Sequence, residues 1–406
     1  MSDLQHLILI DGSGFIFRAF YALPPMNRSD GTPTNAAFGF ANMLLKEVEA
    51  VEAMDGEGTA IAVIFDAGRK TFRNDLYPEY KANRGDPPEE LVPQFAIIKE
   101  APAAFSIPGI DMPGFEADDL IATYARLAVE RGIDVTIVSS DKDLMQLVGG
   151  QVTMFDPMKN KRIGVEEVRE KFGVGPDRVV DVQALAGDSS DNVPGVPGIG
   201  VKTAAELINQ YGDLDTLLER AHEIKQPKRR ERLLENADMA RLSRELVHLK
   251  DDVAVEMPIK EMAFRPVDAD RLYAYLEEWE LTKVIVRAKS LFGPGNGAAV
   301  EKKALAPAAK AASKGPAGKV AKVQVPMPVF PSEAIYELVT DIATLEDWVA
   351  DGVAAGIVAM DTETTSLDVL TAELVGVSLC IAPGRACYIP LAHKQAQVQG
   401  EMDLGG

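Results

Sequence analysis

Short, β-rich apolar runs punctuate the first half of the chain at residues 6–10, 60–65 and 133–138. Between them lie helix-like stretches over 36–53, 90–105 and 116–131. Strands alternating with helices predict a largely parallel α/β sheet over 1–175. From 176 to 290 the pattern turns helical, with short helices and a Gly/Pro-rich turn at 194–200. Residues 291–333 are dominated by Ala, Lys, Pro and Gly. Such a segment buries too little apolar surface to offset its ordering entropy, so a flexible basic linker is expected. A third block, 334–406, has a helix-like stretch (TDIATLEDWVADG) followed by strand-like IVAMD, LVGVSLC and ACYIPL.

The polar residues that follow the apolar runs are repeatedly acidic. ILID ends at Asp11 and AVIFD at Asp66, and the third run leads into SSDKDL with Asp141 and Asp143. Ligands of parallel sheets gather beyond the carboxyl ends of the strands, which predicts one shared pocket. FEADDL adds Glu116, Asp118 and Asp119, and GDSSDNVPG adds Asp188 and Asp191. Carboxylates without histidine or cysteine form the ligand set of Mg²⁺ or Mn²⁺. Those ions drive phosphodiester cleavage. Plainer readings exist for each motif: acids cap helix N-termini, and D-x-D and GDSSDN are ordinary turn sequences. Their joint occurrence favours the pocket, because clustered like charges are costly without a cation. On a regular helix Glu116 and Asp119 share a face while Asp118 points elsewhere, so Asp118 is the weaker ligand of the three unless it acts through a bound water.

Composition narrows the chemistry. The four histidines are scattered and the two cysteines, Cys380 and Cys387, fall late, which argues against a zinc site and against a disulfide framework. No apolar run is long enough to span a bilayer, and the N-terminus lacks a basic, cleavable leader. A cytoplasmic protein without a membrane partner is expected. A net charge of −20 opposes nucleic-acid binding unless metals sequester the acids and local basic patches make the contacts. One patch interleaves Arg69, Lys70, Arg73, Lys81 and Arg84 with Phe72, Tyr77 and Tyr80, a mixture suited to single-stranded or frayed nucleic acid. A second, Lys225, Lys228, Arg229, Arg230 and Arg232, suits either a duplex backbone or a solvated helix face. Gly195, Gly198 and Gly200 shape a tight turn before Lys202, where a helix N-terminus can hold a phosphate. Gly12-Ser13-Gly14 reads as a tight turn that lets Asp11 face the pocket.

The strings LILIDGSGFIFRAFYA, IFDAGRKTFRNDLYPEYKANR, GFEADDLIATYA, SSDKDLMQLV and LAGDSSDNVPGVPGIGVKTA resemble the flap-endonuclease (5′-nuclease) domain of the bacterial DNA polymerase I family. The resemblance spans residues 4 to about 288 in five ordered motifs. It implies a PIN-like α/β nuclease domain with a helix-three-turn-helix subdomain. Asp11, Asp66, Glu116, Asp118, Asp119, Asp141, Asp143, Asp188 and Asp191 would hold two Mg²⁺ or Mn²⁺ ions. Tyr80, Lys81 and Arg84 match a helical arch threaded by the 5′ strand, with Lys81 and Arg84 steadying the scissile phosphate. Arg18 and Phe20 fall in an aromatic-basic run that, with Lys70 and Arg73, is expected to contact DNA. Gly195, Gly198, Gly200 and Lys202 match the hairpin that grips duplex DNA, its carbonyls binding K⁺. The implied activity is 5′-3′ exonuclease and flap endonuclease on 5′ flaps, nicked or gapped duplex and RNA-primed DNA, by a monomer in the bacterial cytoplasm. A PIN-like ribonuclease and a non-catalytic DNA-structure binder stand as alternatives. In the third block, IVAMDTETTSLD resembles the first motif of a 3′–5′ proofreading domain of ribonuclease H-like fold. Asp361 and Glu363 match its D-x-E pair. Later acid motifs and a polymerase domain have no counterpart here, so neither proofreading nor polymerase activity is expected of this chain.

Overall fold

The computed structural model of the chain describes residues 4–53, 56–293, 335–356, 358–365, 373–382 and 384–391. It divides into two units, 1–303 and 304–406. The expected linker lies, from residue 294 onward, outside the described residues.

The first unit is built on a six-stranded sheet of β1 (His6–Asp11), β2 (Thr59–Ile64), β3 (Gly109–Ile110), β4 (Asp134–Val138), β5 (Val152–Asp156) and β6 (Lys161–Ile163). The spatial order is β3-β2-β1-β4-β5-β6. The first five strands pair in parallel, and β6 runs antiparallel to β5. Asp11 lies opposite Ile64, and Ile10 opposite Val138, so the carboxyl ends of β1, β2 and β4 meet at one edge.

Helices on both faces bury this sheet. The helices of the first unit are α1 (Gly12–Ala22), α2 (Asn35–Glu52), α3 (Phe72–Leu76), α4 (Gln94–Ala104), α5 (Ala117–Val129), α6 (Val165–Phe172), α7 (Val179–Ala186), α8 (Val201–Tyr211), α9 (Leu214–Glu219), α10 (Pro227–Glu235), α11 (Ala237–Val247), α12 (Ala269–Glu278) and α13 (Thr282–Phe292). Successive side chains of β1 enter opposite cores, as the two-residue period of a strand requires. Leu7 and Leu9 pack with Leu120, Ile121 and Tyr124 of α5. Ile8 and Ile10 pack with Phe40 and Leu44 of α2.

The helix-like stretches of the sequence correspond to α2, α4 and α5, with β3, β5, β6 and α1 in addition. The helical segment expected as one subdomain over 176–290 divides its loyalty. α7 to α9 contribute to the core shared with α5. α12 and α13 return to the core of α2 and α4 through Leu272, Leu276 and Val284. Residues 78–83, expected within a helical arch, form successive turns rather than a helix.

After α7 the chain turns at Gly187, and residues 188–193 close into a loop through reciprocal bonds, Asp188 N–H to Val193 O at 2.9 Å and Val193 N–H to Asp188 O at 2.7 Å. Gly195 then passes against Gly187 with φ +61°. Any Cβ there would collide with the Gly187 backbone. Gly200 leads into α8.

The second unit has a four-stranded sheet of β7 (Ile335–Leu338), β8 (Ala359–Thr364), β9 (Leu374–Ala382) and β10 (Arg385–Pro390), in the order β7-β10-β9-β8. α14 (Ile342–Ala355) joins β7 to β8. Trp348 of α14 packs with Val339 and Cys387 and donates its indole N–H to Glu337 at 2.8 Å. Asp361 and Glu363 lie on β8, exposed.

Gly195→Ala is expected to destabilise the first unit by roughly 2 kcal/mol or more, combining left-handed strain with a backbone clash. Gly132→Ala shares the positive φ but meets open space, and should lose about 1 kcal/mol. Urea unfolding midpoints of the two variants measure the difference; equal losses would contradict the packing described.

Candidate metal centre and its basic border

Each acid reaches the edge of the sheet by a local rule. Asp11 ends β1 and caps α1, accepting the Gly14 N–H at 2.7 Å. Gly14 has no side chain to intrude on that carboxylate. The other Asp11 oxygen accepts the Ser139 hydroxyl at 2.7 Å, and Ser139 Oγ in turn accepts the Asp141 N–H at 3.0 Å. Asp66 follows β2 and accepts the Ala117 N–H at the start of α5 at 2.8 Å. Asp141 accepts the Asp143 N–H at 2.9 Å. Asp143 accepts the Gln183 amide of α7 at 2.5 Å. Glu116 stands at the N-cap of α5, and Asp188 and Asp191 lie in the loop after α7. A cavity of about 10 Å³, room for one water, is lined by Glu116, Asp118, Asp143, Asp188 and Asp191.

Burial, with crowding after it, raises several of these acids. Burial, reinforced by the charges of Asp141 and Asp66, raises Asp11 to about 6 despite its two hydrogen bonds. Burial and Asp141 raise Asp143 to about 7. Burial, with Asp141, Asp11 and Glu116, holds Asp118 well above the usual carboxylate range. Asp188 behaves oppositely: burial works against its charge, but Lys142 at 2.5 Å and Ser190 outweigh that and lower it.

Cations border the cluster. Lys81 Nζ lies 2.8 Å from Glu116 and 3.5 Å from Asp191. Arg84 pairs with Asp191. The Tyr80 hydroxyl lies 3.3 Å from Glu116 and 3.4 Å from Asp191. Lys81 has φ 55°, and its N–H donates to Asp191 O at 2.9 Å, which locks the turn over the acids. Burial opposes the Lys81 charge, yet Glu116, Tyr80 and Asp191 outweigh it and raise its pKa.

Two expectations reverse. Asp118, expected to point away, faces Asp141 and Asp11, whereas Asp119 is fully buried and paired with Arg73. Arg73, expected to contact DNA, is 1% exposed. The reason is that Glu116 is the N-cap and not a helical residue, so the regular-helix spacing does not apply to it. Lys70 is exposed and 3.4 Å from Asp75, and Arg69 is tied to Asp86 at 2.7 Å. Arg18 and Phe20 lie half-buried on α1, and Phe20 meets Tyr21 edge-on at 5.2 Å. Lys202 is exposed in the first turn of α8, and Arg232 lies against Gly198 in the hairpin. Ser139, Lys142 and Gln183 were not singled out in the sequence; Lys142 sits between two of the acids it serves.

Among the described residues, no three acids close tightly enough to ligate one ion. The donor chemistry nevertheless fits a hard divalent cation: oxygen ligands, mutual repulsion, and raised carboxyls that a cation would relieve.

The chain matches the family described as 5′-3′ exonuclease, N-terminal resolvase-like domain, over residues 6–173, and 5′-3′ exonuclease, C-terminal SAM fold, over 174–270. Residues 336–403 match a 3′-5′ exonuclease family. DNA polymerase I of Rhizobium leguminosarum is 48% identical over 97% of this chain and 44% of its own length. A 5′-3′ exonuclease of Aquifex aeolicus is 36% identical over 71% of this chain and 97% of its own. The chain thus spans less than half the length of the DNA polymerase I relatives from Rhizobium and Pseudomonas. The solved structure of T5 5′-exonuclease with bound divalent metal ions (zinc) shares the fold at 20% identity, with TM-score 0.52, covering 71% of this chain and 99% of that one. A bacteriophage T5 flap endonuclease in a pseudo-enzyme-product complex with DNA and metal ions gives TM-score 0.51 at 22% identity over the same shares.

The raised carboxyls have a pH signature. Their stabilising contribution is full below the ordinary carboxylate value of about 4. It is lost as pH rises through about 6 for Asp11 and about 7 for Asp143. In EDTA, the melting temperature of the chain is expected to fall between about pH 4 and 7 and to level off above that. Asp143→Asn should flatten that fall, as thermal unfolding across the window would show. An unchanged slope would contradict the crowding described.

Proposed function

The chain belongs to the 5′-3′ exonuclease family, and on that premise we propose that its first unit is a divalent-metal-dependent 5′-3′ exonuclease and flap endonuclease of the DNA polymerase I type. The observation that carries this reading is the meeting of acids from three strand ends, the start of α5 and the 188–191 loop beneath the cations of the 80–84 turn. The proposed substrates are 5′ flaps, nicked or gapped duplex and RNA-primed DNA, bound by a monomer in the bacterial cytoplasm.

Asp11, Asp66, Glu116, Asp118, Asp141, Asp143, Asp188 and Asp191 are the proposed holders of two ions, directly or through water. An all-carboxylate set favours Mg²⁺ or Mn²⁺ over zinc. When bound, such ions supply Lewis acidity toward water and the phosphodiester. The chain's own residues orient and neutralise. Lys81 and Arg84, released from Glu116 and Asp191, meet the charge of the scissile phosphate. Tyr80 holds the turn that presents them. Arg18, Phe20 and Lys70 contact DNA near the site, and Lys202 at the start of α8 meets a duplex phosphate. Carbonyls of the Gly195–Gly200 turn are the proposed K⁺ ligands. Asp361 and Glu363, on β8, are proposed as a partial proofreading motif.

A 5′-flap DNA, the same sequence as single-stranded RNA, and a blunt duplex make the test. With Mg²⁺ the flap should be cut near its junction, and EDTA should abolish cutting. Asp141→Asn should slow it on the order of 100-fold or more. Cleavage independent of Mg²⁺, or preference for the RNA, would overturn the reading.

A further inference from the structure

Arg73 and Asp119 form the most enclosed ion pair of the first unit, with side chains 1% and 0% exposed. The pair is a planar fork: Nη1 and Nη2 each donate to one Asp119 oxygen at 2.7 Å. Two further N–H groups go to backbone, and Nη1 also lies 3.8 Å from Glu116 Oε2. Arg73 Nε donates to Leu246 O at 2.8 Å and Nη2 to His248 O at 3.1 Å. Asp119 accepts the Lys250 N–H at 2.9 Å and the Glu116 N–H at 3.1 Å. Asp119 thus accepts four bonds and is left none for a metal, while the guanidinium, 1% exposed, faces only protein oxygens.

Three segments therefore meet on one guanidinium. Arg73 lies in α3, which leads into the turn bearing Tyr80, Lys81 and Arg84. Asp119 lies in the first turn of α5, which bears Glu116 and Asp118. Leu246 lies in the last turn of α11, and His248 and Lys250 follow it; α11 packs on α7, the helix leading to Asp188 and Asp191. Only a bidentate planar donor can satisfy all of these partners at once.

We propose that Arg73 is a positioning residue: through Asp119 and the 246–248 carbonyls it sets the spacing between the acids of α5, the cationic turn and the 188–191 loop, and so sets divalent-ion affinity. Asp119 serves the same device and is not a metal ligand. This rests on the metal-dependent reading above.

The test uses the full chain with Arg73→Lys, Asp119→Asn and the neutral double variant Arg73→Met/Asp119→Leu. One readout is the rise in melting temperature with Mg²⁺ or Mn²⁺; the other is flap cleavage resolved into kcat, KM for DNA and the Mg²⁺ concentration at half activity. Arg73→Lys keeps the charge but loses the fork. It is expected to raise the half-saturating Mg²⁺ about 10- to 100-fold and lower kcat, with KM for DNA unchanged. Removing one partner alone strands a buried charge, so either single variant can fail to fold. The double variant strands no charge; it leaves four backbone groups without the pair, so it is expected to fold with a lowered melting temperature and to show the same loss of Mg²⁺ response. A raised KM for DNA with normal Mg²⁺ dependence would restore Arg73 to the DNA surface and overturn the proposal. So would a double variant with the wild-type Mg²⁺ response. If the wild-type chain itself shows no ion-induced stabilisation, the metal-dependent reading fails first, which separates the two failures.

Discussion

Mutual repulsion among carboxylates at the carboxyl ends of three parallel strands is the constraint around which the first unit is arranged. Parallel registry brings Asp11, Asp66 and Asp141 to one edge whether or not their charges are welcome. Hydrogen bonds answer part of the cost. The Ser139 hydroxyl takes Asp11, the Asp143 N–H takes Asp141, the α5 N-terminus takes Asp66, and Gln183 takes Asp143. Cations answer more: Lys81 and Arg84 from the turn after α3, Lys142 from within the acid run, and Arg73, 3.8 Å from Glu116. Burial first, and the remaining repulsion after it, show in Asp11, Asp118 and Asp143, all pushed up. A pocket left in that condition is prepared for positive charge.

The central frame was legible because its strands are short apolar runs and its long helices carry an apolar face. β1, β2 and β4 fall where the runs are, and α2, α4 and α5 close to the helical stretches. The two-residue β3 has too few residues to leave a pattern, and β6, reading Lys-Arg-Ile, carries charges that hide a strand at the sheet's margin. The return of α12 and α13 to the first core was hidden for another reason. Their apolar faces say that they pack, but no local signal says against which partner.

The same limit governs the site. Acids were found because strand ends and motif spacing are local properties. Arg73 and Asp119 were misread because burial is not local: the carbonyls that hold Arg73 lie 173 and 175 residues away. A basic residue among exposed Arg69 and Lys70 reads as surface until its neighbours in space are known. Helix phase failed at Glu116 for a specific physical reason. An N-cap residue has extended backbone, and Glu116 has φ −88° and ψ 159°, so its side chain departs from the helical wheel that places Asp118 and Asp119.

The net charge of −20 then takes on a different meaning. Acids that face one another in the pocket do not present a uniform repulsive surface to DNA, and cations tied to those acids do not present a free basic one. Lys81 and Arg84 cannot fully serve Glu116 and Asp191 and a phosphate at the same time, since each contact is short and charge-assisted. On the proposed reading, a divalent ion that neutralises the acids also releases those cations toward the substrate. Affinity for the ion and affinity for the phosphodiester are then linked, each raising the other by the same factor. The acidic balance that argues against a nucleic-acid partner is, in this arrangement, part of what makes the partner's binding depend on metal.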